Sequence, residues 1–305
     1  MTPRSPRTLR AARRLLAVVL GAAFTAPPLV AQTSPVYPGD PFWNPVEIGT
    51  ATAKITGAQP RSGNGSLELG LGGDLGDWAY YQNVATNPQT TFGLLSQLTQ
   101  AGFDWFRDDV AVTGGDAPWL AQTPVFRLYV REDDATGASH FSELVWERYY
   151  NDGSPTPLDQ WSTENLLDQR FWRVTYDDNG VRSYTRSGCA GGPIDPLFPL
   201  LTLTPLQWAG GGGCYDAVDT FVWALAVGVG SEWPHEYHAF VDNVQIGFGS
   251  NGTHIGANFE LAPGPTSAVP EPSSLALLAL GTAVLGYGVR VRRRQRPTDA
   301  SRSTE

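Results

Sequence analysis

Short runs in which apolar and polar residues alternate recur through the central part of the chain. Leu67, Leu69 and Leu71 alternate with Glu68 and Gly70; Phe103 and Trp105 flank Asp104; Phe126, Leu128 and Val130 alternate with Arg127, Tyr129 and Arg131. Successive side chains of an extended strand point to opposite faces, so each run carries one apolar and one polar face, as a strand at the surface of two packed sheets requires. Across 221–229 the odd positions are large (Phe221, Trp223, Leu225, Val227, Val229) and the even ones include Ala224, Ala226 and Gly228. That stretch predicts a strand buried on both faces. Further strands are expected at 48–56, 78–83, 143–150, 171–176, 181–185 and 239–248, with Asn179-Gly180 as a hairpin turn. Residues 199–208 read equally well as an edge strand or a turn of helix. Roughly ten strands with little helix predict an all-β fold, a two-sheet β-sandwich.

The alternation stops at both ends. Arg4, Arg7, Arg10, Arg13 and Arg14 precede an apolar stretch at 15–24, and small residues and prolines follow as far as Ala31. This is the order of a secretory signal peptide, residues 1–31, and its apolar run is too short to span about 30 Å of hydrocarbon. The body then occupies 32–261 and a Pro/Gly linker 262–269. At the other end Pro270, Glu271 and Pro272 precede an uncharged run at 273–289, followed by Arg290, Arg292, Arg293, Arg294 and Arg296. A run of that length just reaches across a bilayer as a helix, and arginines on one flank hold that flank in the cytoplasm. The expectation is one C-terminal transmembrane helix at 273–289, a cytoplasmic tail at 297–305, and a body outside.

The arrangement over 270–296 resembles the PEP-CTERM sorting signal. That resemblance implies processing near Pro-Glu-Pro by an exosortase-type transpeptidase as partner, a membrane-held intermediate, and delivery to the cell surface or extracellular matrix. The sorting residues it implies are Pro270, Glu271, Pro272, Arg292, Arg293 and Arg294.

Removing the two ends changes the charge picture. The whole chain has net charge −9, but between the ends lie 10 basic against 27 acidic side chains, a net charge of −17. Such a field repels phosphate backbones, so nucleic acid is excluded as a natural partner. Cys189 and Cys214, the two cysteines, each stand beside a glycine-rich turn. In an exported chain without a CxxC they are expected to form a disulfide, of about 3 kcal/mol in the chain-entropy model.

Ten tryptophans lie in the body. The segments Gly63-Asn64-Gly65-Ser66-Leu67-Glu68-Leu69 and Val241-Asp242-Asn243-Val244 resemble the first and last core strands of jelly-roll carbohydrate-binding domains. That resemblance implies aromatic faces stacking on sugar rings, with Trp78, Tyr80, Tyr81 and Trp233 as candidates. It also implies a structural calcium at Asp242, with Glu47 or Asp40 as partner. No catalytic constellation emerges: there is no Gly-x-Ser-x-Gly and no P-loop, Leu75 breaks the Gly-x-Gly-x-x-Gly spacing that Gly70 and Gly72 begin, and the histidines of His235-Glu236-Tyr237-His238 are three apart rather than four. The expected function is a non-enzymatic, envelope-sorted surface module with glycan as candidate ligand; a polysaccharide hydrolase and a purely structural matrix protein are the alternatives.

Overall fold

The computed structural model describes residues 33–86, 90–108, 121–133, 139–176, 181–185, 191–192, 202–209, 215, 219–230, 233, 235–249 and 252–261. The signal peptide, Cys189 and Cys214, the linker, the sorting signal with its apolar segment and the tail lie outside these residues. The chain divides between Ala262 and Pro263, and every described residue belongs to the first unit. Among the described residues, no helix is long and apolar enough to cross a membrane.

Among the described residues, sixteen strands form two sheets. The seven-stranded sheet contains β1 (Ser34–Val36), β3 (Thr52–Thr56), β4 (Ser66–Gly72), β7 (Leu98–Arg107), β10 (Trp161–Asn165), β15 (Glu236–Phe248) and β16 (His254–Phe259). The nine-stranded sheet contains β2 (Trp43–Ile48), β5 (Trp78–Val84), β6 (Gly93–Leu94), β8 (Val125–Asp133), β9 (Ser139–Trp146), β11 (Phe171–Tyr176), β12 (Arg182–Thr185), β13 (Gly191–Gly192) and β14 (Thr220–Val229). The inner faces meet in an aromatic core. Phe103 of β7 packs against Phe126 of β8 and Trp146 of β9 with ring centroids 5.7 and 5.5 Å apart, and Phe259 of β16 meets Trp43 and Tyr81 edge-on at 5.5 Å. The alternating runs land as expected: Leu67, Leu69, Phe126, Leu128 and Val130 are fully buried.

Three expectations need correction. The single strand expected at 48–56 is two strands in different sheets, because Gly49 turns the chain at φ +70° and the Asp77 carboxylate accepts from the Thr50 backbone N–H (3.0 Å) and hydroxyl (2.5 Å). The strand expected at 143–150 begins earlier and ends at Trp146, and a 3-10 turn covers Arg148–Tyr150. The third concerns β14, whose pairing with β8 shifts register between Val222 and Ala224. A bulge adds one residue, so every large side chain beyond it changes face. Leu225, Val227 and Val229 are buried, whereas Phe221 and Trp223 turn outward and remain half-buried.

The described part of the stretch at 199–208, residues 202–208, carries both readings at once. Leu203 bridges to Phe171, and α1 (Pro205–Ala209) follows immediately. Pro205 occupies the first helical position, where its missing N–H costs nothing, and Thr204 and Gln207 exchange side-chain bonds to each other's backbone N–H. Trp208 is thereby buried, donating to the Phe171 carbonyl at 3.0 Å.

Candidate functional site

The outer face of the nine-stranded sheet collects what the alternation of β8 puts opposite its core residues. The register pairs Tyr129 with Glu143 across β8 and β9, Arg127 with Ala226 across β8 and β14, and Gly228 with Tyr80 across β14 and β5. Farther across, Val174 pairs with Glu143 and Tyr176 with Arg182. Cross-strand partners share a face. Trp78, Tyr80, Arg127, Tyr129, Glu143, Tyr176 and Arg182 therefore lie on one surface, reached from five strands.

Their contacts run across the strands. Trp78 stacks on Tyr80 with centroids 4.7 Å apart and planes inclined by 26°. The Arg127 guanidinium carbon sits 4.4 Å from the Tyr80 ring centroid, within cation–π range. Arg127 Nη1 donates to Glu143 Oε2 at 2.8 Å, and the Tyr176 hydroxyl donates to Glu143 Oε1 at 2.7 Å. Tyr129 and Phe141 both pack against Trp223, with centroids 5.7 Å away. Burial, with the Glu143 charge adding to it, pushes the phenols of Tyr80, Tyr129 and Tyr176 above the ordinary tyrosine range. All three remain protonated donors at physiological pH. Arg127 and Glu143 are 5% and 8% exposed, while Trp78, Tyr129, Trp223 and Tyr176 keep exposed ring surface. The face thus presents rings over a pre-paired ion pair.

Gly228 makes this geometry achievable. A Cβ there would come within 2.2 Å of the Ala79 carbonyl oxygen and 2.3 Å of the Tyr80 ring. We expect Gly228→Val to push β5 away and tip Tyr80 off Arg127, lowering stability by about 1–3 kcal/mol in urea unfolding. An unchanged midpoint would show that the two strands are not packed this tightly.

The candidates named from sequence separate. Trp78 and Tyr80 belong to this face. Tyr81, next along β5, points inward and is 3% exposed between Trp43 and Phe259, so it offers no ring to a ligand. Trp233 is buried against Tyr237, with centroids 4.9 Å apart. Arg127, Tyr129, Glu143, Tyr176 and Trp223 were not singled out from sequence. The alternation Arg127-x-Tyr129-x-Arg131 was visible as a polar strand face, but its partners on β9 and β11 are fixed by register.

Asp242 occupies a different position, on the outer side of the seven-stranded sheet. Here β15 changes neighbours: β4 pairs with Glu236–Val241, β16 pairs with Val244–Gly247, and Asn243 at the switch takes φ +51°. The fully buried Asp242 carboxylate accepts the backbone N–H groups of Phe259 (2.9 Å) and Ser62 (3.1 Å). Burial pushes its pKa up to about 7 against these bonds, and the Glu260 charge adds to the rise. A calcium ion requires six to eight oxygen ligands. The residues named for it do not converge: Asp40 caps the N–H groups of Phe42 and Trp43, Glu47 accepts from the Ala53 N–H, and Asp242 faces donors. Among the described residues, no group of three His, Cys, Asp or Glu side chains is placed to hold a metal. His238, the second histidine of His235-Glu236-Tyr237-His238, lies between Asp108 (2.9 Å) and Glu68 (3.3 Å).

Residues 268–294 match the PEP-CTERM protein-sorting motif. The match includes Pro270, Glu271, Pro272 and Arg292, Arg293 and Arg294, and the motif implies export through a membrane-anchored intermediate. Solved structures similar to the chain include a family 11 carbohydrate-binding module of a cellulosomal cellulase of Clostridium thermocellum, at 13% identity and TM-score 0.34, covering 76% of this chain and 97% of that one. A second structure of the family 11 module from Clostridium thermocellum, in complex with a β-1,3-1,4-mixed-linked tetrasaccharide, is similar at 8% identity, TM-score 0.34 and the same coverage. A β-1,2-glucanase from Parabacteroides distasonis is similar at 10% identity and TM-score 0.31, over 68% of this chain and 23% of that one. No curated protein matches the chain in sequence.

Proposed function

We propose that the chain is an exported, non-catalytic surface or matrix module that binds uncharged polysaccharide on the outer face of its nine-stranded sheet. In this reading the segment 273–289 holds the body at the membrane until an exosortase-type transpeptidase cuts near Pro270, Glu271 and Pro272. The observation that carries the binding assignment is the set of outward-facing aromatic residues, half-buried Trp78, Tyr129 and Trp223 and exposed Tyr176, on the face that holds the buried Arg127–Glu143 pair. Aromatic faces match the CH-rich faces of pyranose rings, and the phenol donors suit hydroxyl acceptors. The strongly negative body is repelled by polyanions, whereas neutral chains meet no such barrier. Among the described residues, the carboxylates that the outward positions of β8 and β9 bring to this face do not favour a hydrolase. Glycoside hydrolysis needs two carboxylates with separate acid and base or nucleophile roles, and here Glu143 is held by Arg127 and Tyr176 while Asp133 is held by Arg131 and Ser139.

The test is affinity electrophoresis of the full chain in mild detergent through gels containing mixed-linkage β-glucan, xylan or agarose. Retardation in at least one gel, weakened roughly tenfold or more by Trp78→Ala and by Tyr129→Ala, is the expected result. Equal mobility of the wild type in every gel would sink the assignment.

A further inference from the structure

Resting on the polysaccharide reading, we infer that Glu143 is the specificity-determining residue of the face. By cancelling the Arg127 charge it admits uncharged chains and turns away uronate-bearing ones. A guanidinium is a planar fork that matches a carboxylate, and it is the side chain best suited to recognising one. Here a carboxylate already stands against it: Glu143 Oε2 takes the Arg127 Nη1 hydrogen, and Tyr176 holds Oε1. Glu143 stands where the carboxylate of an acidic sugar would have to stand. Both partners lie just under the ring surface, 5% and 8% exposed, where solvent screens their charges weakly.

The neighbouring charges do not alter the balance. Arg131 is paired with Asp133 at 2.9 Å, while Arg182, across from Tyr176, and Glu147 bring one positive and one negative charge to bear on Tyr80. Taking the charge off Glu143 leaves Arg127 uncompensated against the Tyr80 ring, and the face becomes an anion binder. Gln is the informative replacement, because its carbonyl oxygen still accepts a hydrogen bond in the same place.

The experiment compares wild type, Glu143→Gln, Glu143→Ala and the double variant R127M/E143Q, each as the full chain in mild detergent, in gels containing polygalacturonate or a neutral polysaccharide. Wild type is expected to pass the polygalacturonate gel freely. Glu143→Gln is expected to be retarded there with an affinity at least roughly tenfold higher, an effect that added salt reduces and R127M/E143Q abolishes. Glu143→Ala removes the same charge with a smaller side chain, so it should give a similar gain even if Glu143→Gln folds poorly. No gain in a folded Glu143→Gln, or a gain that persists in R127M/E143Q, overturns the inference. If Glu143→Gln does not fold, absence of a gain in Glu143→Ala overturns it. Wild-type mobility in the neutral gels is a separate readout: its failure removes the polysaccharide reading, while the polygalacturonate gels decide the role of Glu143 on their own.

Discussion

Raising the pH from about 4 to about 8 is expected to destabilise the folded wild type relative to Asp242→Asn by on the order of 4 kcal/mol. The direction follows from where the proton sits. The Asp242 pKa is raised, by burial first, to about 7 in the folded chain, above the value of 3.8 that an unperturbed aspartate has. The native state therefore holds this proton more tightly than the unfolded state does. The resulting stability is full below the unfolded pKa, declines between the two values, and is gone once the pH has passed the folded one. The carboxyl remains in place because it closes the gap where β15 exchanges β4 for β16: without it, the N–H groups of Phe259 and Ser62 would be buried at the split. Asn keeps one acceptor, so Asp242→Asn should fold while losing the titration. Asp242→Leu leaves both donors unpaired and is expected to cost roughly 2–5 kcal/mol at pH 5. Urea unfolding across the pH range, followed by fluorescence of the buried Trp105 and Trp146, reads both effects. Parallel stability curves for wild type and Asp242→Asn would show that Asp242 does not titrate in this window.

The second large effect is on sorting. In a host that carries the transpeptidase, Glu271→Ala is expected to abolish cleavage and leave the chain at full C-terminal length in the membrane fraction. Wild type should end near Pro270–Pro272. Mass spectrometry of the mature C-terminus separates the two, and normal processing of Glu271→Ala would remove this residue from the recognised signal. Nothing in the sandwich is expected to change, because the matched motif at 268–294 begins after the last strand ends at Phe259.

These two predictions draw on opposite kinds of information. The sorting motif is legible because it is linear: Pro270, Glu271, Pro272 and the arginines do their work by order and spacing along the chain. Asp242 is legible only as a residue type. The sequence marks a carboxylate beside Asn243 in a strand-like run, and the resemblance to jelly-roll domains suggested calcium. Only the pairing of β15 shows a carboxylate filled with backbone donors, which is the opposite of what a cation needs.

The outer face of the nine-stranded sheet lies between these extremes. Alternation along β8 correctly put Arg127 and Tyr129 on one face and Phe126 and Leu128 on the other, because the pleat imposes a period of two whatever the strand's neighbours are. Alternation along β5 likewise separated Trp78 and Tyr80 from Tyr81, and reading that period through would have removed Tyr81 from the candidates. For β14 the same rule misled, since one extra residue at Val222/Ala224 returned Phe221 and Trp223 to the surface.

By itself, then, the sequence determined the class of fold, the core face of most strands, the negative body and the sorting motif at 268–294. Each of these follows from local periodicity, composition or linear order. The tertiary structure decided what no local pattern encodes: that residues 48–56 divide between two sheets, that Asp242 accepts backbone donors where β15 changes neighbours, and that Arg127 meets Glu143 beside Tyr80 and Tyr176. Such meetings depend on strand order and register, and these are set by how the two apolar faces close on each other over long stretches of chain.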